Sequence, residues 1–242
     1  MITVLGSGIK IDELRKIKPV TPKNAGRRWK GISHGELADI IRTEAVGRGW
    51  CIREELYSTA CKGAEMAGAF LLTQVGEVQA VPGTTFALGF LNSNTRRKAL
   101  QITVGVSISC CANGMCTGTI LLHRVHDHTV KLVDEVQAAV DRYATAAKSI
   151  PNIIKGLRAH RLTPAQASEI IMAAGRQRLI GWAAVGRVDA EYRNPTFPEH
   201  GLDTSWALLN AFTFAARRNI APTKQMETYD KFLRMLPSAK LS

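Results

Sequence analysis

Two groups of side chains in this sequence have the chemistry to hold a ligand. The first is Arg96, Arg97 and Lys98, three successive cations between a polar Asn92-Ser93-Asn94-Thr95 turn and a long alternating stretch. No acidic side chain occurs from residue 78 to residue 126. Uncompensated cations at one end of a sheet attract a polyanion, and a phosphate backbone is the commonest large one. Asn92 and Asn94 are expected to donate hydrogen bonds to phosphate or sugar. Arg124, on the strand that should return beside the alternating one, falls near them. The second group is Cys110, Cys111, Cys116, His123, His126 and His128. Thiolates and imidazoles this dense could take zinc. Their spacing opposes it, because there is no C-x-x-C and the adjacent Cys110 and Cys111 face opposite sides of a strand. The expectation is therefore no bound metal. The cysteines then serve as small apolar residues, and the histidines cap the helix that follows.

Other cations are grouped more loosely. Arg27, Arg28 and Lys30 flank Trp29. Single-stranded nucleic acid is held by that mixture, phosphates on cations and bases on rings, but Trp29 could equally anchor the arm in the core. Over residues 145–187, Lys148, Lys155, Arg158, Arg161, Arg176, Arg178 and Arg187 face only Glu169, a pattern that also describes an ordinary solvated helix face. Trp182 and Trp206 lie on apolar faces and read as core. Catalytic signatures are missing: no G-x-S-x-G, no Walker A loop, no H-E-x-x-H and no close carboxylate pair for two metals. Neither an enzyme nor a cofactor is expected.

The 242 residues carry a net charge of +12. Residues 1–121 hold 15 basic and 9 acidic side chains, and residues 122–242 hold 17 and 11. The excess is thus spread through the body, which favours a nucleic-acid partner over a basic tail. The alternative is a basic but inert surface. Five cysteines, an odd number, no secretory leader and no long apolar run point to free thiols in a reducing cytoplasm and to no membrane span.

These residues must be positioned by an α+β fold: an antiparallel β-meander with a long helix packed on it and a helical C-terminal part. Residues 1–31 read as an irregular basic arm, with eight cations between positions 10 and 30 against Asp12 and Glu13. Such an arm either drapes over a partner subunit or nucleic acid, or stays a solvated leader. Residues 32–162 read as the α+β core and residues 163–242 as a helical region packed on it. Ser33 and Glu36 form a capping box that opens the first helix, which Gly47 and Gly49 end. Strands are expected over 50–57, 66–75, 84–91, 99–110 and 117–123, with a tight turn at Asn113-Gly114. On the fourth strand Leu100, Ile102, Val104, Val106 and Ile108 point to the core. Gln101, Thr103, Gly105, Ser107 and Ser109 point to water, where a ligand could lie close against them. Helical spacing follows over 129–149, Pro151 interrupts it, and Thr163-Pro164 and Asp203-Thr204-Ser205 open later helices.

The stretch N-S-N-T-R-R-K…V-G-V-S-I-S-C-C-A-N-G-M, the helix start R-V-H-D-H-T-V-K-L-V and W-A-L-L-N-A-F-T at residues 206–213 resemble a domain-of-unknown-function family common in phage and plasmid genes. The resemblance covers residues 30–215, with separate motifs in the same order. Asn94 stands where that family often has His, so no role of that His is carried over. The family name assigns no chemistry. The order helix, meander, long helix is similar to the core of single-strand annealing recombinases. That analogy implies a ring or filament holding single-stranded DNA in a basic groove, without nucleotide or metal.

The leading expectation is a single-stranded-DNA-binding and annealing protein of a phage or mobile element, acting as a homo-oligomer. Its contacts are Asn92, Asn94, Arg96, Arg97, Lys98, Arg124, Arg27, Arg28 and Lys30. Two alternatives stand beside it: a structural or interaction protein of a mobile element, and a metal-dependent enzyme using Cys116, His123 and His126.

Overall fold

The computed structural model describes residues 8–22, 29–95, 99–108, 113–124, 132–216, 220 and 222–237. In chain order the elements are α1 (Ile11–Lys16), α2 (His34–Gly47), β1 (Cys51–Ala60), β2 (Glu65–Val75), β3 (Val78–Gln79), β4 (Thr84–Ser93), β5 (Leu100–Ile108), β6 (Asn113–Arg124), α3 (Leu132–Ala147), α4 (Ile150–Ala159), α5 (Pro164–Arg176), α6 (Trp182–Arg193), α7 (Ser205–Ala216) and α8 (Pro222–Met235). The strands form one antiparallel sheet in the order β1-β2-β4-β5-β6, with the short β3 paired to β2. The protein is therefore α+β.

Local chemistry explains most element ends. The Ser33 hydroxyl accepts from Glu36 N, and Gly49 follows α2 with φ +72°. Thr163 and Gln166 form a complete capping box with Pro164 in the first turn of α5, which satisfies two otherwise orphaned N–H groups. Thr204 Oγ1 accepts from Ala207 N at the start of α7. Pro151 does not break a helix in its middle. The chain turns at residues 148–149, and Pro151 sits in the first turn of α4, where its missing N–H is no loss.

Residues expected to be irregular contain α1. Its Leu14 is fully buried, Ile9 N donates to Tyr57 O, and Arg15 forms a fork with Asp39 on α2. The expected tight turn at Asn113-Gly114 is strand instead: Asn113 pairs with Ile108 and Gly114 with Ser107. Ladder hydrogen bonds outweigh the local turn preference there. The face of β5 expected to be wet is closed, with Thr103 and Ser107 each 2% exposed. Every residue of β4 is buried too, so the middle of the sheet is covered on both sides. Alternation marked the two faces correctly, but small polar side chains also suit a face that a second layer approaches closely.

On the core face, β2, β4 and β5 bring together Phe70, Phe86, Leu88, Phe90, Ile102 and Val104. Phe70 and Phe90 meet edge to face with centroids 5.0 Å apart, a favoured aromatic geometry. Helices α2 and α3 pack together near Trp50 and Tyr143, whose rings are 5.2 Å apart. Helix α7 is buried almost all round and stacks Phe212 on Phe232 of α8. Among the described residues no helix is long and apolar enough to cross a membrane.

Candidate nucleic-acid interface

The antiparallel register brings the β1–β2 turn, the β4–β5 connection and the last residue of β6 to one end of the sheet. Ala60 pairs with Glu65, Glu65 with Ser93, and Leu100 with Arg124. Two further segments dock at this end. Ile17, just past α1, lies against Gly63, where a β-carbon would sit 3.4 Å from its Cγ2. Gly31 is packed so closely that a β-carbon there would lie 2.7 Å from Pro19 Cβ and 3.1 Å from both Asn94 Oδ1 and Trp29 Cη2. The glycine is thus required for close approach, not for an unusual backbone angle.

Asn92 and Asn94 clamp these segments together. Asn94 Oδ1 accepts from Ile32 N at 3.1 Å and its Nδ2 donates to Ile32 O at 3.0 Å. Asn92 Nδ2 donates to Ile32 O and to His34 Nδ1, both at 2.9 Å. Asn94 N also donates to Ala64 O at 2.8 Å. The two asparagines are 0% and 1% exposed. Their amides face inward and hold the chain, and a phosphate arriving from solvent does not reach them.

The amide donor of Asn92 fixes the state of His34. Because Nδ2 has only protons to give, Nδ1 accepts, and Nε2 carries the proton donated to Gly63 O at 2.9 Å. Burial pushes the His34 pKa below the ordinary value, opposed in part by the Gly63 carbonyl. The folded state thus prefers a neutral ring, and below about pH 6.5 the unfolded state binds more protons. Stability should be full above that pH and fall as the pH drops toward the depressed folded value. His200 is shifted the same way by burial. The check is the urea midpoint at pH 7.5 and 5.5 for the parent and His34→Gln. The variant should lose part of the pH dependence, and an unchanged dependence would contradict the assignment.

Around this clamp stand exposed cations. Lys18 lies between Ile17 and Pro19, Lys30 precedes Gly31, and Lys62 occupies the β1–β2 turn; all three are exposed. None makes an ion pair with another described residue. The turn is strained as well as charged. Cys61 and Lys62 have φ of +53° and +57°, both in the left-handed region, before Gly63 at +82°. Each such non-glycine residue costs on the order of 1 kcal/mol, and it persists only when its surroundings hold it. Here the holding contacts are Gly63 N to Ala60 O, Ala64 N to Cys61 O and the His34 bond.

Arg96, Arg97 and Lys98 lie outside the described residues, as do Arg27 and Arg28. The chain leaves this end at Thr95 and re-enters the sheet at Leu100, so both flanks of the triplet are at the clamp. The backbone of Arg124 pairs with Leu100, as expected of a return strand. Lys30 is exposed, whereas Trp29 is half-buried with its ring turned back over Gly31, which favours its role as an anchor. Of the possible zinc ligands, Cys110, Cys111, His126 and His128 lie outside the described residues. Glu65 places a carboxylate at this end, buried and accepting from Thr95 Oγ1 at 3.2 Å.

Many other cations are committed elsewhere. Arg42 is held by Glu55 at 2.6 Å, by Asp39 and by the Tyr57 hydroxyl at 3.1 Å. Burial and the Glu55 carboxylate push the Tyr57 hydroxyl well above its ordinary range. Arg48 joins Glu44 at 2.6 Å to Asp141 of α3 at 2.7 Å. Together with the Arg15–Asp39 pair, they tie α1, α2, β1 and α3 together. What remains at the sheet end is a set of cations without ion pairs among the described residues, beside the Asn92 and Asn94 clamp. It offers positive charge and N–H groups, which suits retention of an anion.

Sequence reasoning missed Lys18 and Lys62 as site residues. Lys62 had a signal, a cation at the tip of a tight connection between two strands; Lys18 is placed only by the docking of α1. Trp182, expected in the core, is 60% exposed, whereas Trp206 is buried as expected. No protein family, curated protein or solved structure matches the chain.

Proposed function

We propose that this protein binds single-stranded nucleic acid, DNA in the first place, at the clamped end of its sheet, and that it promotes annealing as a homo-oligomer without nucleotide or metal. The observation that carries the reading is the gathering of Lys18, Lys30 and Lys62, exposed and without ion pairs among the described residues, at the end where the Arg96-Arg97-Lys98 run joins the sheet. Segments far apart in sequence are needed to build that surface, and no local helix requires it. A phosphate chain would satisfy the charge along a line. The preference for single strands and the annealing step rest on the analogy drawn from the sequence, in which the order helix, meander, long helix resembles annealing recombinases.

The test is fluorescence anisotropy of a labelled oligodeoxythymidine titrated with protein at low salt. Saturable binding is expected, weaker for a duplex of equal length. A flat trace at low salt overturns the reading. Light scattering, after the mass of the bound oligonucleotide is subtracted, should give a multiple of the 26.4 kDa chain, and a strict monomer would remove the oligomeric part.

A further inference from the structure

The corner where α5 turns into α6 exposes Trp182 and, one turn before the end of α5, Met172. The indole is not loose. A β-carbon on Gly175 would lie 3.1 Å from Trp182 Cζ3 and 2.9 Å from Val185 Cγ2, so one part of the ring rests on the α5 backbone while most of it faces solvent. Arg176 and Arg178 lie one and three residues after Gly175; both are exposed and neither makes an ion pair with a described residue.

Arg178 also occupies a position that usually belongs to glycine. Its N–H donates to Gly175 O at 2.9 Å and Leu179 N–H donates to Ala174 O at 3.0 Å. These are the two bonds of a Schellman helix end, whose left-handed residue is usually glycine. Arg178 takes that place with φ +58°. A cation for the helix dipole is already present at Arg176, so stability alone gives no reason for a strained arginine. A strained residue in a functional position is a reason to look for a ligand. The carboxylates of α6 are occupied: Asp189 by Arg193 at 2.8 Å, and Glu191, buried, by Thr196 at 2.7 and 2.8 Å. On α5 the exposed Glu169 lies two turns before Arg176.

We infer that this corner is a stacking platform for an unpaired base, with Trp182 under the base and Arg176 and Arg178 on the adjoining phosphates. The inference rests on the nucleic-acid reading above and adds a contact that reading does not contain. An aromatic face beside cations is the combination that holds single strands regardless of sequence. A duplex keeps its bases stacked internally and offers no free face. A second copy of this chain would bring like charge to like charge.

The test uses the full chain, a labelled oligodeoxythymidine and two variants, Trp182→Ala and Arg178→Gly. Trp182→Ala should weaken binding by roughly five- to hundredfold, the range for losing one stacked base, with an unchanged salt slope. Trp182→Phe should recover most of the loss. Arg178→Gly should weaken binding and flatten the slope of log K against log salt by about 0.7, while melting at or above the parent temperature. Parent-like binding by both variants overturns the platform and leaves the sheet-end reading standing. A parent that does not bind overturns both. A Trp182→Ala protein that keeps its affinity but loses mass in light scattering assigns the corner to self-association and likewise overturns the platform.

Discussion

Replacing Arg96, Arg97 and Lys98 together with alanine should weaken binding of a single-stranded oligonucleotide by about a hundredfold at 0.1 M salt. Each phosphate neutralised on a single strand contributes about −0.7 to the slope of log K against log salt. Three lost contacts flatten that slope by about 2, and a slope change of 2 amounts to two decades between 1 M and 0.1 M. Stability should hardly change, because surface substitutions away from special contacts stay within about ±0.5 kcal/mol. The triplet lies in sequence between β4 and β5, and the flanking Asn94 and Thr95 already have their own partners. Anisotropy at several salt concentrations, paired with urea unfolding, separates the two effects. Unchanged affinity and slope in a folded variant would place the contacts elsewhere. Failure to fold would make the triplet structural and favour the interaction-protein alternative.

Asn94→Ala should act in the opposite way, lowering stability strongly and affecting the ligand only through the fold. The substitution removes both bonds to the Ile32 backbone, at 3.1 and 3.0 Å. The Ile32 carbonyl keeps Asn92 as a partner, but the Ile32 N–H loses its acceptor. An orphaned donor costs about 1–3 kcal/mol and the second lost bond about 1 kcal/mol, so a total of about 2–4 kcal/mol is expected. For a chain of this size that lowers the melting temperature by about 4–16 °C. Binding measured where the variant is still folded should be close to the parent's. If Asn94 instead contacted phosphate directly, the variant would melt like the parent and bind less well. Urea unfolding with anisotropy on the same preparation decides between them.

Much of the fold is legible because local chemistry and burial agree along most of the chain. Ser33 and Thr163 announce helix starts with side chains that the backbone needs. The alternation from Leu100 onward gives β5 and its core face. The misses share a cause: their outcome depends on residues far away. Thr103 and Ser107 look solvent-facing by alternation, yet a second layer closes over them. Helix α1 is too short to announce itself in a lysine-rich arm; Leu14 buries against α2, and the Arg15–Asp39 pair ties the two helices. Trp182 looks apolar in sequence, and only the packing of α5 against α6 leaves it outside.

The candidate site shows the same division. A cationic triplet in an acid-free stretch can be read directly from the residues. That Asn92 and Asn94 would turn inward cannot, because their partner Ile32 is about sixty residues away. The same clamp brings Lys18 and Lys30 beside Lys62. Net charge alone would not have predicted this, since Arg15, Arg42 and Arg48 are equally basic and are consumed by internal ion pairs.

Two variants with the same change in charge locate the oligonucleotide on the protein. One replaces Lys18, Lys30 and Lys62 at the sheet end with alanine. The other replaces Lys148, Lys155 and Lys224, which are equally exposed and equally free of ion pairs with described residues. Anisotropy with the same oligonucleotide at 0.1 M salt reads both. A loss approaching a hundredfold is expected for the first, with a slope flatter by up to about 2, and only a small loss for the second. Equal losses in the two variants would mean that the oligonucleotide responds to the overall charge of the protein, and would contradict a site at the end of the sheet.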